Sequence, residues 1–132
     1  MNRNILLTGG TSGIGKGLKD YFESKGDKVF NLSLSSQEYP CDITNADQLD
    51  AVFEKLQNIK FDILINCAGR GLSGAVELTS ESDVRTQFEL NFFALVNVTK
   101  NALPLMKEKS KIINISSTCA LFPLPFRAYY CA

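Results

Sequence analysis

The sequence predicts an α/β fold in which helices pack on both faces of a parallel sheet. Short apolar runs typical of buried strands alternate with segments whose apolar residues recur every three or four positions. Such alternation produces right-handed βαβ units and a parallel sheet. The 132 residues suit one domain over 1–132, and no linker or low-complexity tract divides them.

The predicted elements follow one another along the chain. In the first half they are a strand over Asn4–Thr8, a helix ending near Gly26, a strand over Lys28–Leu34, a helix capped by Thr44–Asp47 and a strand over Phe61–Cys67. In the second half they are a long helix from about Ser80 to about Met106 and a strand over Lys111–Ser116.

One segment is shorter than this fold normally allows. Only Ser35 to Cys41 separate the second strand from Asp42, too few residues for a crossover helix and a full strand. We therefore expect Tyr39–Cys41 to form a stub of edge strand, which makes five strands at most.

Composition excludes several classes of function. Lys plus Arg and Asp plus Glu both number 14, so the net charge of zero gives no electrostatic case for nucleic acid. No apolar run reaches the roughly 18 residues of a membrane span, and the start lacks the features of a signal peptide, which predicts a cytoplasmic protein. The chain has no histidine, which removes histidine-based metal sites and Ser-His-Asp schemes. The four cysteines form no C-x-x-C pair and are expected to be reduced thiols.

A glycine-rich turn lies between the first strand and the first helix. Gly9, Gly13 and Gly15 would let the backbone turn tightly and approach a pyrophosphate, which the helix N-terminus then binds. Gly10 to Lys16 also fits the start of a P-loop, but Gly17 stands where Ser or Thr should hold Mg²⁺. A structural turn without a ligand is the other alternative.

Six segments, at 8–15, 42–43, 66–69, 91, 116–117 and 130–132, resemble in order those of the short-chain dehydrogenase/reductase family. The run T-G-G-T-S-G-I-G over 8–15 resembles its T-G-x-x-x-G-x-G signature, and Asn66-Cys-Ala-Gly69 resembles its N-N-A-G motif with Cys67 in place of the second Asn. Tyr130 resembles the start of its Y-x-x-x-K motif. The resemblance implies a Rossmann-type sheet whose last strands are missing here, and a cofactor held by Gly9, Thr11, Ser12, Gly13, Ile14, Gly15, Ser33, Asp42, Ile43, Asn66, Ala68 and Gly69.

The resemblance also implies the catalytic residues Asn91, Ser117 and Tyr130. The family's Ser usually precedes its Tyr by thirteen positions, and 130 − 117 = 13, which favours these two over Ser116 and Tyr129. Each residue also has a purely structural interpretation. Ser117 could be a strand-end hydroxyl bound by backbone, Tyr130 a packed aromatic ring, and Asn91 a hydrogen-bond hub on an apolar helix face.

In the family, the Tyr is the general acid/base, the Ser polarises the substrate oxygen, and hydride passes between nicotinamide and a carbonyl/alcohol pair. A lysine four residues after the Tyr favours the tyrosinate. That position lies two residues beyond Ala132, so we expect this chain to be a truncated, poor catalyst and the intact gene product to continue with a lysine.

Cofactor preference, substrate and assembly are less constrained. NAD-preferring members carry an acidic residue where this chain has Ser33, so NADP is favoured over NAD. The Arg or Lys usual in NADP-binding members is missing there and at Ser12, and Lys16 is expected to contribute weakly. The apolar segment Leu121–Phe126 suggests a hydrophobic carbonyl or alcohol substrate, or else a packed surface loop. Phe92 and Phe93 lie off the apolar face that includes Asn91, which predicts a homodimer or homotetramer through this helix.

Two other functions stay open at this point. A non-catalytic dinucleotide-binding module would keep the glycine turn and lack the lysine. A nucleotide-sugar epimerase or dehydratase is disfavoured by the glycine spacing, since those relatives usually read T-G-x-x-G-x-x-G.

Overall fold

A computed structural model describes residues 2–132, so Met1 of the predicted domain lies outside the described residues. Five parallel strands form one sheet in the order β3-β2-β1-β4-β5. The strands are β1 (Asn4–Thr8), β2 (Lys28–Ser33), β3 (Tyr39–Pro40), β4 (Phe61–Asn66) and β5 (Met106–Asn114).

Helices and shorter turns connect these strands. The α-helices are α1 (Gly13–Ser24), α2 (Ala46–Leu56), α3 (Glu81–Phe88), α4 (Leu95–Ala102) and α5 (Ala128–Cys131). A π-helical segment over Glu89–Ala94 joins α3 to α4, and short 3₁₀ turns cover Val76–Leu78, Leu103–Leu105 and Thr118–Ala120. Within residues 2–132, none of these helices is both long and apolar enough to cross a bilayer.

Alternate residues of the central strands pack on opposite faces of the sheet, as the two-residue period of a strand requires. Leu6 and Leu64 belong to the core cluster formed with α2 and α4. Ile5 and Ile63 belong to the cluster on the other face, against Leu18 of α1. Helices therefore cover both faces, and the predicted doubly wound parallel sheet is confirmed.

Helix α1 ends in the way that its glycine predicts. Gly26 has φ of +80°, its N–H donates to the carbonyl of Glu23, and the N–H of Asp27 donates to the carbonyl of Phe22. These two bonds form a Schellman motif, in which glycine is favoured because the left-handed conformation crowds a Cβ. The turn directs the chain into β2.

Helix α2 begins one residue later than the predicted capping box. Asn45 is the N-cap, and its side chain accepts a hydrogen bond from the Gln48 N–H at 3.1 Å. The predicted cap, Thr44, instead donates its hydroxyl to Asp42 at 2.7 Å. The prediction was wrong by one position because Asp42 competes for the threonine side chain.

The shortened segment after β2 has the form expected of it. Residues 34–38 contain no helix, and β3 is a two-residue strand whose Tyr39 and Pro40 pair with Leu32 and Ser33 of β2. The predicted stub of edge strand is confirmed.

The last strand differs from its prediction. It covers Met106–Asn114, whereas we predicted Lys111–Ser116. Its pairing with β4 is irregular between Phe61 and Ile63, and Lys109 adopts a φ of 62° there. The early part of the strand is polar and interrupted, so its periodicity gives no strand signal. Ile112 and Ile113 are 42% and 39% exposed because β5 is the edge of this sheet.

Candidate active site

A cleft of about 1160 Å³ opens above the carboxyl ends of β1, β2 and β4. Strand β1 lies between β2 and β4, so the chain leaves it in one direction and later returns on its other side. Ligands of open α/β sheets bind at such a switch point, outside the carboxyl ends of the strands. Every residue predicted to hold the cofactor lines this cleft except Asn66.

Two glycines of the turn are required by close backbone packing. Gly9 has φ of +75°, and a Cβ there would lie 2.9 Å from the Cα of Ala68. A Cβ on Gly15 would collide with the carbonyl oxygen of Gly9. The glycines thus bring the first turn of α1 against the end of β1, which keeps that helix terminus at the cleft.

The N-terminus of α1 has the properties of an anion site. Its N-cap, Ser12, is exposed and makes no side-chain cap, and the first turn contains no acidic residue. The N–H groups of the first turn therefore lack intrahelical acceptors and face the cleft, where Gly13 and Ile14 form part of the wall. Backbone donors and the helix dipole together favour a phosphate.

A buried amide connects this turn to the end of β2. The Asn31 side chain is buried, and its Oδ1 accepts the N–H of Gly10 at 2.7 Å while its Nδ2 donates to Ser33 Oγ at 3.1 Å. A Cβ on Gly10 would lie 2.6 Å from Asn31 Oδ1, so Gly10 must also be glycine. Sequence analysis missed both residues. The available signal was an asparagine inside an apolar strand, because a buried amide is costly unless it is bonded.

Thr8 holds the segment after β4 against the glycine turn. Its hydroxyl is buried and accepts the N–H groups of Cys67 and Ala68, both at 3.1 Å. This places the segment 67–69 beside Gly9. Burial raises the pKa of the Cys67 thiol, so it stays protonated at neutral pH.

Asn66 is the one predicted cofactor residue that does not line the cleft. Its side chain is 3% exposed and lies outside the cleft wall. Its Nδ2 donates to Thr99 Oγ1 at 3.1 Å and to Asn114 Oδ1 at 2.9 Å. Asn66 therefore ties β4 to α4 and β5, and within residues 2–132 its buried Oδ1 accepts no hydrogen bond.

Asp42 and Ile43 lie together at the far end of the cleft. Ile43 is 7% exposed and belongs to the core, while Asp42 is half-buried. Asp42 Oδ1 accepts the Thr44 N–H at 3.0 Å as well as its hydroxyl. The turn that these bonds make fixes the carboxylate at the cleft wall, where it can accept a hydrogen bond from a ligand.

Asn91 lies in the π-helical segment and bonds the chain after β4. Its Oδ1 accepts the N–H of Arg70 at 3.0 Å and its Nδ2 donates to the Arg70 carbonyl at 2.8 Å. The hydrogen-bond hub considered from the sequence is therefore present, and Asn91 also lines the cleft. π-Helical turns frequently occur at functional sites because they re-aim one side chain.

Ser117 and Tyr130 both lie in the cleft wall. Ser117 Oγ accepts the Cys119 N–H at 3.2 Å and caps the turn after β5. The Tyr130 ring lies under the Arg127 guanidinium, 5.6 Å from its centroid, and its hydroxyl has no hydrogen-bond partner within residues 2–132. The Tyr130 hydroxyl and the hydroxyl proton of Ser117 are therefore both available to a ligand.

The neighbouring Tyr129 is held by the protein itself. Its hydroxyl donates to the Val76 carbonyl at 3.4 Å, and its own carbonyl accepts Gln87 Nε2 at 2.7 Å. Gln87 is 3% exposed, and its Oε1 accepts the Leu72 N–H at 2.8 Å. This buried amide links the loop after β4 to the backbone of Tyr129, next to Tyr130. Sequence analysis missed it, although Gln87 follows Val84 by three residues and precedes Asn91 by four and so lies on the apolar helix face that includes them.

Lys16, the cation considered for a cofactor phosphate, is paired elsewhere. Its ammonium contacts Asp20 one turn along α1, and the two side chains are 58% and 56% exposed. Lys16 is not part of the cleft wall.

Residues 3–132 match the family model described as short chain dehydrogenase. The chain belongs to this family. A 3-ketodihydrosphingosine reductase from Bacteroides thetaiotaomicron is 35% identical over 97% of this chain and 52% of its own length. A probable short-chain type dehydrogenase/reductase, VdlC, from Helicobacter pylori is 37% identical over 96% of this chain and 52% of its own. The chain thus spans about half the length of the curated relatives it matches.

Solved structures of a dehydrogenase and a reductase share the fold. The aldohexose dehydrogenase of Thermoplasma acidophilum, in ligand-free form, superposes with a TM-score of 0.89 at 29% identity over 98% of this chain and 55% of that one. The 3-ketoacyl-(acyl-carrier-protein) reductase of Brucella melitensis, complexed with NADH, superposes with a TM-score of 0.88 at 27% identity over 97% of this chain and 62% of that one. The family uses NAD(P), and the glycine turn and helix N-terminus of this chain fit such a dinucleotide.

Proposed function

We propose that the intact gene product is an NADP-dependent oxidoreductase that interconverts a carbonyl compound and an alcohol. The observation that carries this proposal is that one cleft joins the uncapped N-terminus of α1 to the unpaired Tyr130 hydroxyl. A phosphate-binding terminus alone would suit any dinucleotide module. A free phenol in the same wall supplies the proton that carbonyl reduction needs.

The proposed roles follow from what each side chain can donate. Tyr130 donates its phenolic proton to the carbonyl oxygen in reduction and removes a proton from the alcohol in oxidation. Ser117 donates a hydrogen bond to the same oxygen, because its hydroxyl proton has no acceptor within residues 2–132 while its oxygen accepts the Cys119 N–H. Asn91 holds the Arg70 backbone at the edge of the reacting region. Bound nicotinamide supplies or accepts the hydride.

The proposed preference for NADP rests on the end of β2. Ser33 occupies the position where a carboxylate would bind the ribose diol, and exposed Leu34 and Ser35 follow it. A carboxylate there would repel a 2′-phosphate, and a hydroxyl does not. We attribute the preference to hydrogen bonding, because Lys16 contacts Asp20 and lies outside the cleft wall.

The proposed substrate is a hydrophobic carbonyl compound or alcohol. Leu121, Phe122, Leu124 and Phe126 are 77%, 71%, 53% and 69% exposed. The segment joins the turn of Ser117 to Tyr130, so it borders the place where a substrate would lie. Exposed apolar area of this kind marks binding surfaces. One relative is itself named a 3-ketodihydrosphingosine reductase, a reductase of a keto compound.

The proposed assembly is a homodimer or homotetramer through the helix around Asn91. Phe92 and Phe93 stack edge-to-face with centroids 5.2 Å apart, and they are 56% and 52% exposed. Burying two aromatic rings in a copy of the same helix would remove this area from water. Light scattering tests the assembly, and Phe93→Ser is expected to shift it to monomer. The predicted cytoplasmic location is tested by cell fractionation.

The two tyrosines provide the experiment that tests the proposed chemistry. Tyr130→Phe is expected to lower the rate of NADPH-dependent carbonyl reduction by about 10² to 10⁴, because it removes the general acid. Tyr129→Phe is the matched control and should change the rate little, since its hydroxyl bonds Val76. Equal effects of the two variants would reject the assignment. Cofactor binding without any reduction of a broad carbonyl panel would favour a non-catalytic module.

A further inference from the structure

The buried Asn31 amide connects the two places where the proposed function requires an adenosine phosphate and ribose to bind. One end of the amide bonds Gly10, in the turn before α1, and the other bonds Ser33, at the end of β2. Asn31 is 5% exposed and is not part of the cleft wall, whereas Ser33 is. Asn31 can therefore act on a ligand only through its neighbours.

The Gly10 contact fixes which way the amide points. A backbone N–H is a donor, so the side-chain atom 2.7 Å from Gly10 N must be the carbonyl oxygen Oδ1. The amide nitrogen Nδ2 then faces Ser33 Oγ at 3.1 Å. A flipped amide would place NH₂ against N–H, with no acceptor between them.

This orientation sets the polarity of the Ser33 hydroxyl. Nδ2 has only hydrogens to offer, so Ser33 Oγ must accept, and its own proton points elsewhere. Within residues 2–132 no side chain or carbonyl accepts that proton. Because Ser33 is only 9% exposed, the proton has little choice of direction except toward the cleft.

We infer that Asn31 is a positioning residue that locks Ser33 as a hydrogen-bond donor toward the 2′-phosphate of NADP. The inference rests on the proposed function and adds a source for its cofactor preference. A phosphate oxygen only accepts at neutral pH and takes the Ser33 proton directly. The free ribose diol of NAD gains less, because its neutral oxygen makes a weaker bond than a charged one. This chain thus achieves with a fixed hydroxyl what a basic side chain would achieve by charge.

Dissociation constants for NADPH and NADH, measured at one salt concentration on the intact gene product, test this inference. Ser33→Ala is expected to weaken NADPH binding about tenfold and NADH binding less than about threefold, the loss of one charge-assisted bond. Ser24→Ala is the control, since this exposed serine at the end of α1 lies outside the cleft wall. It should leave the NADPH to NADH ratio within about twofold.

Asn31→Asp keeps a side chain between Gly10 and Ser33 but replaces the amide donor that faces Ser33 Oγ with an acceptor. The new side chain still accepts the Gly10 N–H, but it also accepts the Ser33 proton and turns it away from the cleft. The NADPH to NADH preference is expected to fall by about tenfold or more. The added negative charge alone would also disfavour a phosphate. The same substitution is therefore repeated in the Ser33→Ala protein, where the effect on the ratio should be clearly smaller.

Each outcome of these measurements decides the inference. It stands if Ser33→Ala lowers the preference and the double variant shows the smaller Asn31→Asp effect. It is overturned if Asn31→Asp weakens both cofactors equally, as a purely structural role predicts, or if its effect is the same without Ser33, as plain repulsion predicts. If Asn31→Asp does not fold, Ser33→Ala against Ser24→Ala decides alone. If the unaltered protein binds neither cofactor, the proposed function itself fails and this inference with it.

Discussion

The Asn91 side chain bonds both backbone groups of Arg70, accepting its N–H at 3.0 Å and donating to its carbonyl at 2.8 Å. A single amide thus reproduces the pairing of a neighbouring strand. It extends the order of β4 into the loop that follows it. Asn91 lies in the π-helical segment Glu89–Ala94 and lines the cleft.

Asn91→Ala should loosen the loop after β4. Removing two hydrogen bonds at a half-buried site is expected to lower the free energy of unfolding by about 1–3 kcal/mol. Urea denaturation measures this loss. Asn97→Ala, at an exposed position of α4, is the control and should stay within about 0.5 kcal/mol of the parent. An equal loss in both variants would mean that the Arg70 bonds contribute nothing measurable.

Gln87→Leu should disturb the positions of Tyr129 and Tyr130. The substitution leaves the Leu72 N–H and the Tyr129 carbonyl without their partner, at a cost of about 2 kcal/mol in unfolding free energy. Because Tyr129 adjoins Tyr130, we also expect kcat to fall more than KM rises. Steady-state kinetics measure the split, and Gln57→Leu at the exposed end of α2 is the control. An unchanged kcat would show that Gln87 only supports the fold.

Gly17→Ala is expected to stabilise the protein. A Cβ at Gly17 meets no atom within 4 Å, and the residue lies inside α1. Replacing glycine by alanine in a helix interior gains about 0.5–1 kcal/mol. Thermal denaturation should therefore give a higher midpoint. A lower midpoint would show that the first turns of α1 need glycine beyond Gly15.

Stability should fall in acid partly through the Arg3–Asp27 pair. The Asp27 side chain accepts a hydrogen bond from Arg3 Nη2 at 2.5 Å and one from the Arg3 N–H at 3.1 Å, and these bonds hold its pKa below the ordinary value of 3.8. A carboxyl with a lowered pKa in the folded state stabilises the protein above its unfolded pKa. That contribution is lost as pH falls through the lowered value.

Asp27→Asn removes this titration. Its thermal midpoint should lie below that of the parent at neutral pH, and the gap should narrow as pH falls below about 4. Thermal scans at several pH values measure the gap. A gap independent of pH would mean that the bond geometry alone, and not the charge of Asp27, stabilises the fold.

The sheet could be predicted because its core strands are nearly all apolar and end in turn signals. Phe61–Asn66 is such a strand, and Gly26 ends α1 with the bonds that a glycine at this position permits. The early part of β5 could not be predicted. Its residues Met106–Ser110 are mostly polar, and Lys109 breaks the extended path.

The site residues could be predicted where a motif requires a particular backbone conformation. They could not be predicted where partners remote in sequence determine the orientation of a side chain. Gly9 and Gly15 follow from the close approach that a phosphate-binding turn needs. Asn66 also lies in a motif, but its partners Thr99 and Asn114 are remote in sequence and turn its amide away from the cleft. Asn31 was missed for the related reason that its neighbours in the sequence reveal neither partner.

The cleft above β1 is expected to bind NADP through the turn before α1. Titration of NADPH into the unaltered protein and into Gly15→Ala tests it most directly, with Gly17→Ala as a matched change on the same helix. We expect saturable binding that Gly17→Ala preserves and that Gly15→Ala weakens at least about tenfold, because a Cβ would push α1 away from Gly9. Binding unaffected by Gly15→Ala, or no binding to the folded parent, would contradict it.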